Sequence, residues 1–183
     1  MTQEIEAPEG FNLDDAIRKV PNFPKPGILF YDITSVLANP PAFNYCIESM
    51  LKLYRHENID AVAAIESRGF VFAAPFCQKL GIPLLLVRKK GKLPGKTISQ
   101  SYDLEYGSAE LEMHIDDIKP GMRFLIVDDL IATGGTINAT CSMIKRCGAI
   151  PFRAFSVIGL PFLNYQQTIQ DVSVDTLIEY FGE

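Results

Sequence analysis

Phe124-Leu125-Ile126-Val127-Asp128-Asp129-Leu130-Ile131-Ala132-Thr133-Gly134-Gly135-Thr136 is the stretch on which the reading of this chain turns. A short apolar run, Phe124 to Val127, ends in two adjacent acids, and the Gly134-Gly135 pair opens helix-compatible sequence. The outline is a buried strand, a loop and a helix N-terminus, with carboxylates at the strand's carboxyl end. Free backbone N–H groups in such a loop, aided by the helix dipole, make a phosphate site. Small residues at Ala132, Thr133, Gly134 and Gly135 let the backbone approach an anion closely, and the Thr133 and Thr136 hydroxyls can donate to it. Asp128 and Asp129 would repel a phosphate at that range. The ligand implied is therefore a sugar phosphate, with its phosphate on the loop and its ribose hydroxyls on the carboxylates. No Lys follows the glycines and no G-x-G-x-x-G occurs, which excludes a Walker A loop and a dinucleotide fingerprint. An ordinary turn with solvated acids would explain a double Asp or a double Gly alone. The whole string in order argues against it.

Outward from that stretch, strands and helices alternate. Asn12 or Asp14 can cap a short helix through about Lys19, and the Pro-rich Pro21–Gly27 segment is expected to pack as a rigid extended arm. Pro40-Pro41 fits the first turn of a helix to about His56, with Phe43, Ile47, Met50, Leu51 and Tyr54 on one face. Ala61–Ile65 and Leu84–Val87 read as buried strands, and Gly69–Leu80 as a helix closed by Gly81. Two strands, about Ser99–Glu105 and Glu110–His114, follow a loop at Gly91–Gly95. A helix runs from Gly134 to about Cys147, and Phe152–Ile158 is another strand. This alternation predicts an α/β fold with a central, mainly parallel sheet flanked by helices. Ligands in such sheets bind beyond the carboxyl ends of strands. Glu66-Ser67-Arg68-Gly69, Arg88-Lys89 and Asp128–Thr136 all fall on that edge.

Composition narrows the function classes. At 183 residues the chain suits one domain, and no apolar run approaches membrane-spanning length. Met1–Gly10 is expected to be a mobile polar tail without signal-peptide features, leaving residues 11–183 as a single domain. The net charge of −5 disfavours a general nucleic-acid surface. Arg88, Lys89, Lys90, Lys92 and Lys96 nevertheless cluster, which suits a compact polyanion; a solvated basic loop is the alternative. Cys46, Cys77, Cys141 and Cys147 form no C-x-x-C pair and only His56 and His114 could join them, so a zinc site is not expected. Reduced thiols in a cytoplasmic protein are the default.

The Val127–Thr136 string resembles the phosphoribosyl pyrophosphate (PRPP) signature of the type I phosphoribosyltransferases. Pro21–Phe30 resembles the N-terminal hood of the adenine-specific members. Arg88–Gly95 and Tyr102-Asp103-Leu104-Glu105-Tyr106-Gly107 resemble their mobile catalytic loop and the strand behind it. The similarity runs from about Pro21 to Phe155, with a hood at about 21–35 and a flexible loop at about 91–107. Tyr31 departs from the family, which usually has Arg beside the base pocket. The tail after Val157 follows the pattern only loosely.

The resemblance implies purine salvage: transfer of the phosphoribosyl group of PRPP to adenine, giving AMP and pyrophosphate. Asp128, Asp129 and the Ala132–Thr136 loop would hold the ribose and 5-phosphate. Ser67, Arg68, Arg88, Lys89 and Lys92 would meet the pyrophosphate, with Arg68 also counted as catalytic. Glu105 is the candidate for proton transfer, Tyr106 closes over the ribose, and Leu29, Phe30 and Tyr31 form the base pocket. Phe23 is expected to be plain core. Mg²⁺ is implied as a cofactor bound mainly through PRPP, without a protein cage. The family also implies a homodimer whose partners are small molecules, with neither nucleic acid nor membrane. A phosphoribosyltransferase for a 6-oxopurine, kept open by Tyr31, and a non-catalytic PRPP-binding regulator are the alternatives.

Overall fold

Strand residues that are apolar on both faces require cover on both sides, and that requirement organises the molecule. The computed structural model describes residues 10–104 and 107–182. Its N-terminal part is short-range: helix α1 (Leu13–Ala16) is capped by the Asn12 side chain, and strand β1 (Arg18–Pro21) pairs antiparallel with β2 (Leu29–Asp32). The helix expected to reach Lys19 thus stops at Ala16, because residues 18–21 find backbone partners in 29–32 that local pattern does not reveal. The Pro-rich arm is likewise a closed hairpin loop. The Phe23 amide donates to the Ile28 carbonyl at 3.2 Å, and the Gly27 amide to Asn22 Oδ1 at 3.0 Å. Helix α2 (Thr34–Leu37) follows, and its Ser35 hydroxyl accepts from the Arg18 amide and donates to the Ala16 carbonyl, locking hairpin to helix.

The main body begins with α3 (Pro40–Tyr54), which starts at Pro40-Pro41 as the sequence predicts, with the Asn39 side chain capping it. Then come β3 (Ala61–Ile65), α4 (Gly69–Leu80, closed by Gly81 at φ 69°), β4 (Leu84–Lys89), β5 (Thr97–Leu104), β6 (Gly107–His114), β7 (Arg123–Ile131), α5 (Gly135–Arg146) and β8 (Ile150–Gly159). The C-terminal segment adds a 3₁₀ turn (Pro161–Leu163), α6 (Tyr165–Thr168) and β9 (Ser173–Glu179). Among the described residues the larger sheet has seven strands in the order β5-β6-β4-β3-β7-β8-β9. β4, β3, β7, β8 and β9 run parallel, while the β5–β6 hairpin is an antiparallel edge.

Alternate residues of β3 and β7 feed two cores. Val62, Ala64, Leu125 and Val127 pack with α3 and α4 through Met50, Tyr54, Phe72 and Phe76. Ala61, Ala63, Phe124 and Ile126 pack with α5 through Ile137, Cys141 and Ile144, and with Tyr165 and Ile169. All five β3 side chains are buried, as a central strand between two layers demands. Among the described residues no helix is long and apolar enough to cross a membrane.

β7 carries the main departure from the expected outline. The strand does not end at Val127 but continues through both acids to Ile131, because β8 pairs with it from Asp128↔Ser156 to Ile131↔Gly159. The sequence predicts no element after Phe152–Ile158, where β9 stands. It pairs with β8 along the sheet edge, and Tyr54 Oη donates to Asp175 Oδ2 at 2.7 Å, tying the edge strand to α3.

Candidate active site

β3 leads through α4 to β4 on one side, whereas its other neighbour, β7, leads into α5 on the opposite face. That reversal of winding opens a crevice beyond the carboxyl ends of β3 and β7, where ligands of open α/β sheets bind. The Glu66–Gly69 turn and Asp128–Thr136 flank it.

The two turns approach very closely. A Cβ on Gly69 would stand 2.7 Å from the Val127 carbonyl oxygen and 3.1 Å from Asp128 Cα, so only glycine lets α4 begin against β7. The Glu66–Ser67 peptide between β3 and α4 is cis. Arg68, next in the chain, donates from Nε to Asp129 Oδ2 at 2.6 Å, which joins the crevice walls by an ion pair. Asp129 is buried while the Arg68 side chain remains about half exposed, leaving the guanidinium open to a further anion.

Asp128 is buried and accepts the Asp129 amide at 2.9 Å. Burial first, and then the Asp129 carboxylate beside it, push the Asp128 carboxyl well above its ordinary range, with Arg68 offsetting only part. Tyr102 of the β5 hairpin lines one cavity with Thr133 and Gly135, and burial first, then Asp128, raises its phenol.

The loop beyond the acids has the form of an anion nest. Gly134 sits at φ 84°, in the left-handed region, and α5 starts at the next residue with no side-chain cap on its first turn. Its orphan amides are therefore open to a ligand. A cavity of about 430 Å³ adjoins them, lined by Thr133, Gly135 and Asn138 on one side and Gln100–Tyr102 on the other. Behind the nest, a Cβ on Gly134 would lie 2.8 Å from Ile169 Cγ1 and 3.2 Å from the Tyr165 carbonyl oxygen. The α6 segment thus braces the loop, a role with no motif to mark it.

The basic cluster is more engaged than its charge suggests. Arg88 Nε donates to Glu66 Oε2 at 3.0 Å and its Nη1 to the Lys92 carbonyl at 3.2 Å, while the Lys89 amide donates to the same Glu66 oxygen at 3.1 Å. Burial pushes the Glu66 carboxyl up, but the Lys89 amide and Arg88 together outweigh it and hold it below the usual carboxylate range. Ser67, Lys89 and Lys92 are exposed.

In the hood, Leu29 and Phe30 are half-buried, and the Phe30 ring meets Phe23 edge-on with centroids 5.0 Å apart. Phe23, expected as core, is 50% exposed, because the hairpin loop carries it beyond the main body. Tyr31 is buried and stacks on Tyr180 at 3.9 Å between centroids, turned into the core rather than towards the crevice. Glu105 and Tyr106 lie outside the described residues. Glu112 and Ile169 have no motif to mark them: the first lies in a strand that looks like ordinary edge hairpin, the second in the C-terminal tail. Tyr102 opens the Tyr102–Gly107 segment, where the sequence gives it no separate role.

Comparison with known proteins agrees with this geometry. The model of the phosphoribosyl transferase domain family matches residues 32–178. An adenine phosphoribosyltransferase of Treponema denticola is 58% identical over 171 residues, covering 93% of this chain and 90% of the relative. The crystal structure of adenine phosphoribosyltransferase from Thermoanaerobacter pseudethanolicus superposes with a TM-score of 0.88 at 42% identity, covering 92% of this chain and all of that one. The Saccharomyces cerevisiae enzyme, solved with an imino-altritol bisphosphate and adenine, superposes with a TM-score of 0.85 at 35% identity over 91% of this chain and 96% of its own. With its crevice, nest and paired acids, the chain belongs to the phosphoribosyl transferase family, on its adenine phosphoribosyltransferase branch.

Proposed function

We infer that this protein transfers the phosphoribosyl group of PRPP to adenine, forming AMP and releasing pyrophosphate. The observation that carries the reading is the junction of an uncapped α5 N-terminus at Gly134-Gly135 with the buried Asp128–Asp129 pair at one crevice. The 5-phosphate fits the nest, through the amides of Ala132–Thr136 and the Thr133 and Thr136 hydroxyls. The ribose hydroxyls fall to Asp128 and Asp129, whose negative charge favours the cationic ring that forms as the C1–O bond breaks. Ser67, the open side of Arg68, Lys89 and Lys92 supply donors and positive charge for the departing pyrophosphate.

Attack by the purine nitrogen on C1 displaces pyrophosphate, and the base gives up a proton as the new C–N bond forms. We assign that proton to Glu105 on the basis of the Leu104-Glu105-Tyr106-Gly107 motif, with Tyr106 closing over the ribose. Phe30 offers a π face for adenine and the Leu29 backbone polar groups at its edge, which discriminate an amino donor from a carbonyl. The Tyr31 ring packs on Tyr180, so the base panel below decides between adenine and a 6-oxopurine.

Among the described residues no group of three or more His, Cys, Asp or Glu side chains is placed to hold a metal ion. Mg²⁺ would come with PRPP, bound largely through its phosphate oxygens, and would offset pyrophosphate charge there. Cys46, Cys77, Cys141 and Cys147 are free, which suits a cytoplasmic enzyme, and a homodimer is the assembly proposed by family resemblance.

Incubating the purified protein with labelled adenine, PRPP and Mg²⁺ tests the reading. AMP should form, and at equal concentration adenine should outcompete hypoxanthine, guanine and xanthine. Absence of AMP, or preference for a 6-oxopurine, would overturn it.

A further inference from the structure

The connection from β4 to β5 must step over β6, since the strand order is β5-β6-β4. Such a crossing loop leaves backbone amides above a strand that cannot pair with them. Glu112, in the middle of β6 and only 2% exposed, fills that gap. Its Oε1 accepts the amides of Lys92 and Leu93, both at 2.8 Å, and its Oε2 accepts the Thr97 hydroxyl at 3.2 Å. Glu112 lies directly opposite Arg88 in the β4–β6 register and opposite Ser99 in the β5–β6 register. Arg88 Nη1 donates to the Lys92 carbonyl, so both sides of the Lys92 peptide neighbourhood are held, one by a buried anion and one by a cation.

We propose that Glu112 is a positioning residue for pyrophosphate: by clasping the Lys92 and Leu93 amides it fixes the crossing loop so that Lys92 is presented to the leaving group. The proposal rests on the reading that Lys92 meets pyrophosphate. A carboxylate suits this role because charge-assisted hydrogen bonds are stronger than neutral ones, and because two convergent amides need one acceptor with several lone pairs. Burial works against the Glu112 charge, but the Leu93 and Lys92 amides, the Thr97 hydroxyl and the Gly91 amide together keep the carboxyl below its usual range. Without the clasp the loop would still bridge β4 and β5, but Lys92 would have to be ordered at the moment of binding.

The test measures pyrophosphate affinity by calorimetry and KM for PRPP and kcat by steady-state assay, in Lys92→Ala, Glu112→Ala and Glu112→Gln. Lys92→Ala should weaken pyrophosphate binding. Glu112→Ala should weaken it and raise KM for PRPP by about tenfold, the scale of one charge-assisted hydrogen bond, with a smaller effect on kcat. Glu112→Gln keeps an acceptor for both amides and should recover most of the affinity; it also carries the test if the Ala variant does not fold. Weakened binding in Lys92→Ala with wild-type values in both Glu112 variants would overturn the proposal. Unchanged binding in Lys92→Ala would instead remove the reading beneath it, and the proposal with it.

Discussion

Asp128 and Asp129 are neighbours in one strand, yet their surroundings divide them. Asp129 has the Arg68 guanidinium at 2.6 Å, whereas Asp128 is buried beside a carboxylate. On the proposed mechanism Asp129→Asn removes a charge that favours a cationic ribose while Arg68, about half exposed, remains solvated. Its kcat/KM for PRPP should fall about 100-fold, the size of losing one preorganised electrostatic contact, with a circular dichroism spectrum like wild type. Asp128 behaves differently with pH. Its carboxyl holds its proton more tightly in the folded protein than in the unfolded chain, so substrate-free stability falls as pH rises from the unfolded value, about 4, through the raised folded one. Asp128→Asn resembles the protonated acid and keeps an oxygen for the Asp129 amide. Its melting temperature without substrate should exceed wild type at about pH 7.5 and converge with it near about pH 4, even as turnover drops. A variant that melts lower throughout would mean that the carboxylate stabilises the empty site. For Glu105→Gln, the proton-transfer role predicts a larger loss in kcat than rise in KM for adenine; an unaltered kcat would leave that residue as scaffold.

Elements were legible in the sequence where their own residues carry the signal. The start of α3 at Pro40-Pro41, the end of α4 at Gly81 and the apolar run of β3 each depend on local chemistry. β1, β9 and the extension of β7 past its acids depend on distant partners, residues 29–32 and β8. No window of neighbouring residues contains that information. The candidate site divides the same way: the Asp128–Thr136 string is a local pattern, whereas the clasp at Glu112 and the brace at Ile169 exist only once β6 and α6 are in place. Gly69 shows how tightly the elements of the site meet. Gly69→Ala would force α4 away from the Val127 carbonyl, costing about 1–3 kcal/mol as an overpacked core does. Urea denaturation should show that loss together with a raised KM for PRPP, because the Arg68–Asp129 pair spans the same contact. Stability equal to wild type would mean that the helix can shift freely.

At the scale of the molecule, a sheet covered on both faces supplies rigidity, and its change of winding beside β3 supplies the crevice. The hood hairpin, stitched to α2 through Ser35 and to the C-terminus through the Tyr31–Tyr180 stack, brings Leu29 and Phe30 into the same molecule-spanning frame. PRPP chemistry asks for this division of labour: a nest for the phosphate, acids for the sugar, cations for the leaving group and a separate wall for the base. The most direct check is a crystal structure with AMP bound. Its phosphate should rest on the amides of residues 132–136, its ribose hydroxyls on Asp128 and Asp129, and its base beside Phe30. A nucleotide seated anywhere else, with the α5 N-terminus facing only solvent, would contradict the account.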